Sequence, residues 1–324
     1  MQIALSRSFV LAVLGVMIIA AGPAAALDYP TRPVHWIVPY PPAGTTDILA
    51  RLVGQALSER LGQQFIIENK PGGGNNIGTE AVVNAAPDGY TLLLVNPANG
   101  INATLYKRLK FDILHDLAPV AGLMRVPNVM EVNPNFPAKT VAEFIAHGKA
   151  NPGKINMASS GNGTSVHMSG EMFMAMTGIK MTHVPYRGAG PALTDMIAGT
   201  VDVLFDNMPS SIEHIRGGKL RALAVTTDKR SEALPDVPTV ADTVPGYEAS
   251  AWFGIGMPKN TPPEIIEKLN KTVNDVLADP KMKARLAELG GAVMAGTPAD
   301  FAKVMADEVA KWKKVVEFSG ASVD

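Results

Sequence analysis

The residues best suited to chemistry form a short loop between a predicted strand, Val34–Val38, and a helix expected to begin near Ile48. A helix start presents free N–H groups and the positive end of the helix dipole, so this loop favours an anion. We expect its N–H groups and hydroxyls to receive a carboxylate, while its aspartate caps the helix. An ordinary capped strand-to-helix turn is an equally good interpretation. The loop consists of Pro41, Pro42, Ala43, Gly44, Thr45, Thr46 and Asp47.

A second loop of the same kind stands between a predicted strand at residues 155–158 and a predicted helix at 166–177. Its glycines permit close approach of a ligand to the backbone, and its hydroxyls offer donors and a helix cap. It is not a phosphate-binding loop or a nucleophile elbow, because neither Gly-Lys-Ser/Thr nor Gly-x-Ser-x-Gly is present. Either it contacts the same ligand from the opposite side, or it is a simple capped loop. Its members are Ser159, Ser160, Gly161, Asn162, Gly163, Thr164 and Ser165.

Other polar residues are weaker candidates. Arg187, in a third strand-to-helix loop at residues 186–190, either pairs with a ligand carboxylate or is a solvated surface arginine. Asp206 and Asn207 end a predicted strand and could accept from a hydroxyl, an amine or a water, but no second carboxylate lies at metal-ligand spacing. Tyr40 and Tyr186, with two aromatic residues at 252 and 253, either stack on a ligand ring or belong to the core.

Strands and helices alternate along the chain. Apolar runs at 34–38, 65–68 and 90–95, separated by helical patterns at 48–61 and 77–86, predict a β-α-β-α-β unit with a parallel sheet. A second α/β unit begins near residue 120, and a proline-rich, linker-like stretch follows at 234–246. Helices at 263–277, 280–289 and 298–317 are expected to return to the first unit. The second unit has predicted strands at 129–132, 155–158, 181–184, 201–205 and 220–226, and helices at 141–150, 166–177 and 191–199.

The composition excludes several kinds of partner and site. The net charge of −1 and the lack of long runs of one sign argue against nucleic acid or an anionic membrane surface as partner. The absence of cysteine excludes disulfides, thiolate metal sites and cysteine nucleophiles. The six histidines show no zinc-binding spacing, so neither a metal nor another cofactor is expected.

The first 26 residues are predicted to be a signal peptide cleaved near Ala26. Arg7 precedes an apolar stretch at 9–21, and small residues at 24–26 suit a signal peptidase. A retained anchor helix is the weaker interpretation because the apolar stretch is short for a bilayer. The mature protein is therefore expected in the periplasm.

Eight stretches, in order over essentially the whole mature chain, resemble the Bug family, the periplasmic solute receptors of tripartite tricarboxylate transporters. Relatives often carry a Gly-Gly-Thr-Asp turn where this chain has Gly44-Thr45-Thr46-Asp47, so the extra threonine is expected to change how a carboxylate is received. The stretches are residues 29–33 (YPTRP), 38–47 (VPYPPAGTTD), 68–72 (ENKPG), 87–92 (PDGYTL), 184–192 (VPYRGAGPA), 203–207 (VLFDN), 223–227 (LAVTT) and 234–240 (LPDVPTV).

The resemblance implies an α/β, two-domain Venus-flytrap periplasmic binding protein of type II, whose chain crosses the hinge twice. Domain 1 would comprise residues 27–125 plus 251–324, and domain 2 residues 126–250. It implies a ligand carboxylate held, with bound waters, between residues 42–47 and 159–164, without catalysis. The expected ligand-binding residues are Tyr40, Pro42, Ala43, Gly44, Thr45, Thr46, Asp47, Asn96, Ser159, Ser160, Gly161, Asn162, Gly163, Thr164, His167, Tyr186, Arg187 and Asp206.

Three functions are open from the sequence. The first is a monomeric receptor that captures a dicarboxylate, tricarboxylate or aromatic carboxylate and delivers it to the membrane components of a tripartite tricarboxylate transporter. The second is an exported hydrolase that uses Ser159 or Ser160, although no histidine motif supports it. The third is a receptor that docks to a sensor kinase instead of a transporter.

Overall fold

The computed structural model of the protein describes residues 28–323, so the predicted signal peptide lies outside the described residues. No helix within that range has the length and apolar character needed to cross a bilayer. The strands are β1 (Val34–Val38), β2 (Phe65–Asn69), β3 (Thr91–Val95), β4 (Leu117–Val132), β5 (Ile155–Ser159), β6 (Met181–Pro185), β7 (Val203–Asn207), β8 (Arg221–Val225), β9 (Ser250–Pro258) and β10 (Ala292–Val293). The α-helices are α1 (Thr45–Leu61), α2 (Asn76–Val83), α3 (Pro97–Leu105), α4 (Val141–Ala150), α5 (Ser165–Thr177), α6 (Ala189–Ala198), α7 (Met208–Arg216), α8 (Pro263–Ala278), α9 (Pro280–Glu288) and α10 (Pro298–Ser319).

Two long strands, β4 and β9, join the two halves of a sheet whose main order is β2-β1-β3-β9-β4-β7-β5-β6. The strands β1, β2 and β3 are parallel in one half, and β5, β6 and β7 are parallel in the other. Residues 117–127 of β4 pair with β9, whereas Asn128 and the residues after it pair with β7. One continuous strand therefore leaves the first half of the sheet and enters the second at Pro127–Asn128.

Each half of the sheet has its own apolar core. Trp36 of β1 and Leu49 of α1 are fully buried in the first. Phe173 of α5 and Phe205 of β7 are fully buried in the second. Trp312, near the end of α10, belongs to the second core, although α10 also packs against α3 and β4. The last helix therefore packs against both halves.

Six helices follow the carboxyl end of a parallel strand within residues 28–323, and five of them, α1, α3, α5, α6 and α7 after β1, β3, β5, β6 and β7, begin where the two halves of the sheet face each other. In open α/β sheets the crevice outside these strand ends is the usual place for a ligand. The fold thus directs five helix N-termini toward the space between the two halves of the sheet.

The structure adds elements that apolar spacing alone does not predict. The helices α3 and α7 each follow an asparagine and carry a proline in their first turn, which is a start signal independent of apolar spacing. The strand β4 has 16 residues, with β-bulges directly after Pro119 and Gly122, whereas only residues 129–132 were predicted. The predicted linker at 234–246 is packed, since Val240 is fully buried and Thr239 bridges to Val225.

Candidate functional site

A small cavity lies where the five helix N-termini meet. The first residues or N-caps of α1, α3, α5, α6 and α7 all contribute to its wall. None of the lining residues, in the part of the chain that the structure describes, carries a charged side chain. The lining consists of Tyr40, Gly44, Thr45, Thr46, Asn96, Pro97, Ser160, Thr164, Ser165, Ala189, Asn207 and Phe253.

The first loop presents backbone donors to this cavity. Helix α1 has Gly44 as its N-cap and no side chain that caps it. The N–H groups of Asp47 and Ile48 both donate to the Gly44 carbonyl. Thr45 and Thr46 precede them in the helix, and the first N–H groups of a helix have no acceptor within it. The structure therefore leaves the positive end of the α1 dipole available to an anion.

Asp47 faces away from the cavity and holds the loop in shape. Its carboxylate accepts from the Ala43 N–H at 3.1 Å, from Arg51 at 3.0 Å and from Asn69 at 3.0 Å. Partial burial opposes ionisation, but these hydrogen bonds outweigh it and lower the pKa of Asp47. The bond to Ala43 stabilises a left-handed φ of 71°, which alanine rarely adopts. The ionised carboxylate is thus a support for the loop and does not line the cavity.

The second loop contributes hydroxyls through Ser160, Thr164 and Ser165. Thr164 caps α5 by accepting from the His167 N–H at 3.1 Å. Gly161 and Gly163 have φ values of 127° and 75°, which favour glycine, and Asn162 is half-buried beside them. The glycine turn thus places the three hydroxyl residues at the cavity wall.

Ser159 and His167 lie behind the loop, outside the cavity lining. The Ser159 hydroxyl is 2.6 Å from Nε2 of His183, and the Gly161 N–H donates to it at 3.2 Å. The rings of His167 and His183 stack with their centroids 4.0 Å apart, and Nδ1 of His167 accepts from the Gly163 N–H. Ser159 is fully buried, so this serine–histidine pair fixes the loop from behind instead of facing a ligand.

We expect the stacked histidines to make the protein sensitive to acid. Burial, and the adjacent His167 ring, lower the pKa of His183 to about 3. An unfolded histidine binds its proton near pH ~6.5, so the unfolded state binds more protons than the folded state between these values. Stability should therefore be complete above about pH 6.5 and fall as the pH drops toward 3. His183→Gln should make the decline of the melting temperature with acidification shallower, as measured by calorimetry.

His115→Gln provides the matched control, because His115 is an exposed histidine paired with Asp112 at 2.8 Å. It removes a histidine without touching the loop. An unchanged acid profile in His183→Gln, relative to the wild type, would contradict this account of the histidine stack.

Other candidates from the sequence lie around the cavity without lining it. The hydroxyl of Tyr186 donates to Asp195 at 2.6 Å. Arg187 is exposed and makes no ion pair within the described residues. Pro42 and Ala43 are exposed at the rim of the first loop. Within the lining, by contrast, Tyr40 donates from its hydroxyl to Asn96 at 3.3 Å, and Asn96 caps α3.

Asp206 belongs to a buried pair of acids directly behind the cavity. Asp206 and Glu131 are both fully buried, and the Ser211 hydroxyl lies 2.7 Å from Oε1 of Glu131 and 3.0 Å from Oδ2 of Asp206. Burial raises the pKa of Asp206 to about 6, although hydrogen bonds from Ser210 and Ser211 oppose the shift. Burial, together with the neighbouring Asp206, raises the pKa of Glu131 well above its usual range. Asp206, which receives hydrogen bonds from two serines, is therefore the member that ionises more readily, and Glu131 keeps its proton to higher pH.

Replacement of Glu131 tests this assignment. Glutamine has the shape of the protonated acid but does not ionise in the unfolded chain, so Glu131→Gln should be at least as stable as the wild type at pH 7. A raised folded-state pKa means that wild-type stability declines as the pH rises above about 4.5, and the variant should lose the part of that decline due to Glu131. Urea unfolding at pH 5, 7 and 9 measures both effects.

The contrasting variant is Glu308→Gln, which removes a real ion pair with Arg125 at 3.0 Å and should destabilise the protein. If Glu131→Gln destabilises the protein as strongly at pH 7, Glu131 is not the protonated member of its pair.

Contacts between the two halves close the cavity. Oγ1 of Thr45 is 3.0 Å from Oγ of Ser210 on the other side. At Gly44 an added Cβ would lie 3.5 Å from Cβ of Ala189, and at Gly188 it would lie 2.7 Å from Cδ of Pro41. The structure is thus a closed arrangement in which glycines allow the opposing loops to touch.

Four lining residues were not among the expected ligand-binding residues, although Ser165 and Asn207 stood in segments considered from the sequence: Pro97, Ser165, Ala189 and Asn207. Each begins or caps a helix, so the asparagine–proline start signals of α3 and α7 would have found Pro97 and Asn207. Phe253, a residue of β9, also lines the cavity. From the sequence it was considered only as an aromatic residue that either stacks on a ligand ring or belongs to the core. Within the described residues, no group of three acidic or histidine side chains is placed to hold a metal ion.

Comparison with known proteins gives consistent matches over nearly the whole chain. The family model TctC, described as the tripartite tricarboxylate transporter family receptor, matches residues 49–320. Protein BugT of Bordetella pertussis is 38% identical over 319 residues, which cover 97% of this chain and 98% of BugT. The structure of R. palustris Rpa4515 with adipate is similar at a TM-score of 0.89 and 39% identity, covering 90% of this chain and 99% of that chain. MatC (Rpa3494) from Rhodopseudomonas palustris with bound malate has a TM-score of 0.85 and 32% identity, covering 89% of this chain and 100% of that one.

Proposed function

Because the chain belongs to the family of tripartite tricarboxylate transporter receptors, a relationship that confirms the resemblance to the Bug family, we propose that it captures a small dicarboxylate in its cleft. In this proposal it is a periplasmic protein, exported by a signal peptide cleaved near Ala26, that delivers the ligand to the membrane components of a transporter. The protein acts as a monomer and catalyses no reaction.

The observation that carries the proposal is the convergence of uncapped helix N-termini on an uncharged cavity. No side chain caps α1, α6 or α7 in the structure. Their dipoles place partial positive charge at the wall, and the cavity contains no cationic side chain that would do so instead. Negative charge on the ligand is therefore met by backbone N–H groups and by the hydroxyls of Thr46 and Ser160.

Two features favour a short dicarboxylate over larger acids. The cavity is small in this closed arrangement, which favours a ligand of few atoms over a larger acid. The N-termini approach from both halves of the sheet, so that one carboxylate can meet α1 and the other can meet α6 or α7. The solved relatives with adipate and with malate hold ligands of this class.

Ligand capture would proceed by closure of two lobes. We take one lobe as residues 27–125 plus 251–324 and the other as residues 126–250, with the last turns of α10 resting on the second. The change of partner along β4 at Pro127–Asn128 supports the boundary, because the strand pairs with β9 before it and with β7 after it. Bending there and at the start of β9 would separate the two loops and open the cavity.

A hydrolase is the second candidate, because Ser159 and His183 are hydrogen-bonded as a nucleophile and its base would be. Three observations oppose it. Ser159 is fully buried, it does not line the cavity, and burial lowers the pKa of His183 to about 3, far below that of a useful general base near neutral pH. The pair is better explained as support for the second loop.

A thermal-shift screen tests the proposed function. A ligand that binds only the folded state must raise the melting temperature, so short dicarboxylates should raise it while sugars and diamines of similar size should not. Recovery of the dicarboxylate chemically unchanged after long incubation would separate a receptor from an enzyme. A shift with sugars or amines and none with any carboxylate would contradict the proposal.

A further inference from the structure

A chain of hydrogen-bonding groups runs from the buried acid pair to the cavity wall. Oγ of Ser210 lies 2.5 Å from Oδ2 of Asp206 and 2.9 Å from the carbonyl oxygen of Asn207. The same oxygen lies 3.0 Å from Oγ1 of Thr45, which reaches it from the opposite side of the cleft. Thr45 lines the cavity and is 3% exposed, so its hydroxyl is confined to this environment.

The number of hydrogens in this chain fixes its direction. A serine hydroxyl has one hydrogen to donate and two lone pairs with which to accept. Both the Asp206 carboxylate and the Asn207 carbonyl are acceptors, so the hydrogen of Ser210 is used on one of them. The contact with Thr45 can then be a hydrogen bond only if Thr45 donates and Ser210 accepts. The hydroxyl hydrogen of Thr45 is consequently committed to the far side of the cleft.

We propose that Thr45 offers the ligand only an acceptor, and that the site therefore selects a dicarboxylate that carries a hydroxyl group over the same dicarboxylate without one. A carboxylate oxygen cannot bond to a hydroxyl whose hydrogen is already used, whereas a ligand hydroxyl can donate to it. Thr46, the next residue, has no side-chain partner within the described residues and keeps its hydrogen for a ligand carboxylate. The inference rests on the proposed function, because it assigns the ligand subclass of the same cavity.

The distinction between the two threonines makes the inference testable by paired ligands. Calorimetric dissociation constants are measured at pH 8, where Asp206 is ionised, for malate and succinate, 2-hydroxyglutarate and glutarate, and 2-hydroxyadipate and adipate. The wild type should bind the hydroxylated member of the best-binding pair at least about tenfold more tightly, since buried polar groups left unpaired by a ligand are costly. Thr45→Val keeps the side-chain shape and should bring this ratio close to one.

Two further variants separate the role of Thr45 from a general loss of binding. Thr46→Val should weaken both members of a pair by a similar factor and leave the ratio unchanged. Ser210→Ala frees the hydrogen of Thr45, so the unhydroxylated ligand should gain affinity relative to its hydroxylated partner. Melting temperatures of all three variants verify that they fold.

Each outcome decides between the two proposals. Binding of both members without preference in the wild type, or an equal ratio in the wild type and Thr45→Val, overturns the inference and leaves the proposed function intact. Absence of binding for all six acids removes the proposed function and the inference with it.

Discussion

Replacing Gly188 with alanine should weaken dicarboxylate binding by about 10- to 100-fold, because an overpacked contact costs about 1–3 kcal/mol. A Cβ at this position would lie 2.7 Å from Cδ and 3.0 Å from Cγ of Pro41, on the opposite side of the cleft. Gly188 has a φ of 171°, an extended conformation that alanine adopts without strain. The substitution should therefore act as a wedge that disfavours the closed state and leaves the open state unaffected. Calorimetric affinity and the radius of gyration with and without ligand measure both effects.

Gly190→Ala is the matched control, since it lies in the same loop two residues further on. Its added Cβ would be 3.4 Å from the carbonyl oxygen of Pro42, an ordinary contact, and it stands in the first turn of α6. Binding should remain within about threefold of the wild type, a difference below 1 kcal/mol. Equal affinities for the two alanine variants would show that contact between Gly188 and Pro41 plays no part in closure.

Replacing Thr46 with aspartate should reduce dicarboxylate affinity by at least about 100-fold. Two like charges about 5 Å apart repel by about 3 kcal/mol at an effective dielectric constant near 20. The new carboxylate would stand in the first turn of α1, where the helix dipole favours an acid, so the protein should still fold. A calorimetric titration measures the loss, and circular dichroism verifies the fold.

Thr46→Asn has the same shape as the aspartate variant and no charge, so it isolates the electrostatic effect. It should retain binding within about tenfold, which corresponds to the loss of one ordinary hydrogen bond. Equal loss of affinity in the two variants would indicate that the size of the side chain matters at this position, and not the charge of the ligand.

The sequence predicted the class of fold and the two principal loops from local patterns. Apolar spacing located most helices and strands, because each has a buried face with a regular period. Small residues with hydroxyls between a strand and a helix located the two loops, and Thr45, Thr46 and Thr164 do line the cavity. Local chemistry sufficed because a helix start is defined by a few consecutive residues.

The sequence could not predict what depends on packing between distant residues. Asp47 and Asp206 are both acids next to helix starts. Asp47 stabilises its own loop by a hydrogen bond from Ala43, whereas Asp206 is buried beside Glu131 and shares Ser211 with it. His183 was one of six scattered histidines until the fold placed it against Ser159. The contribution of Ala189 and the contact between Gly188 and Pro41 likewise arise only when the two halves meet.

The central claim is that helix N-termini in an uncharged cleft bind a ligand through its negative charge. Titration of the wild type with adipate and with adipamide, its neutral diamide of nearly the same shape, tests this most directly. We predict that adipate binds at least about 100-fold more tightly, since charge-assisted hydrogen bonds are roughly twice as strong as neutral ones and two carboxylates are engaged. Equal affinity for the diacid and the diamide would contradict the account.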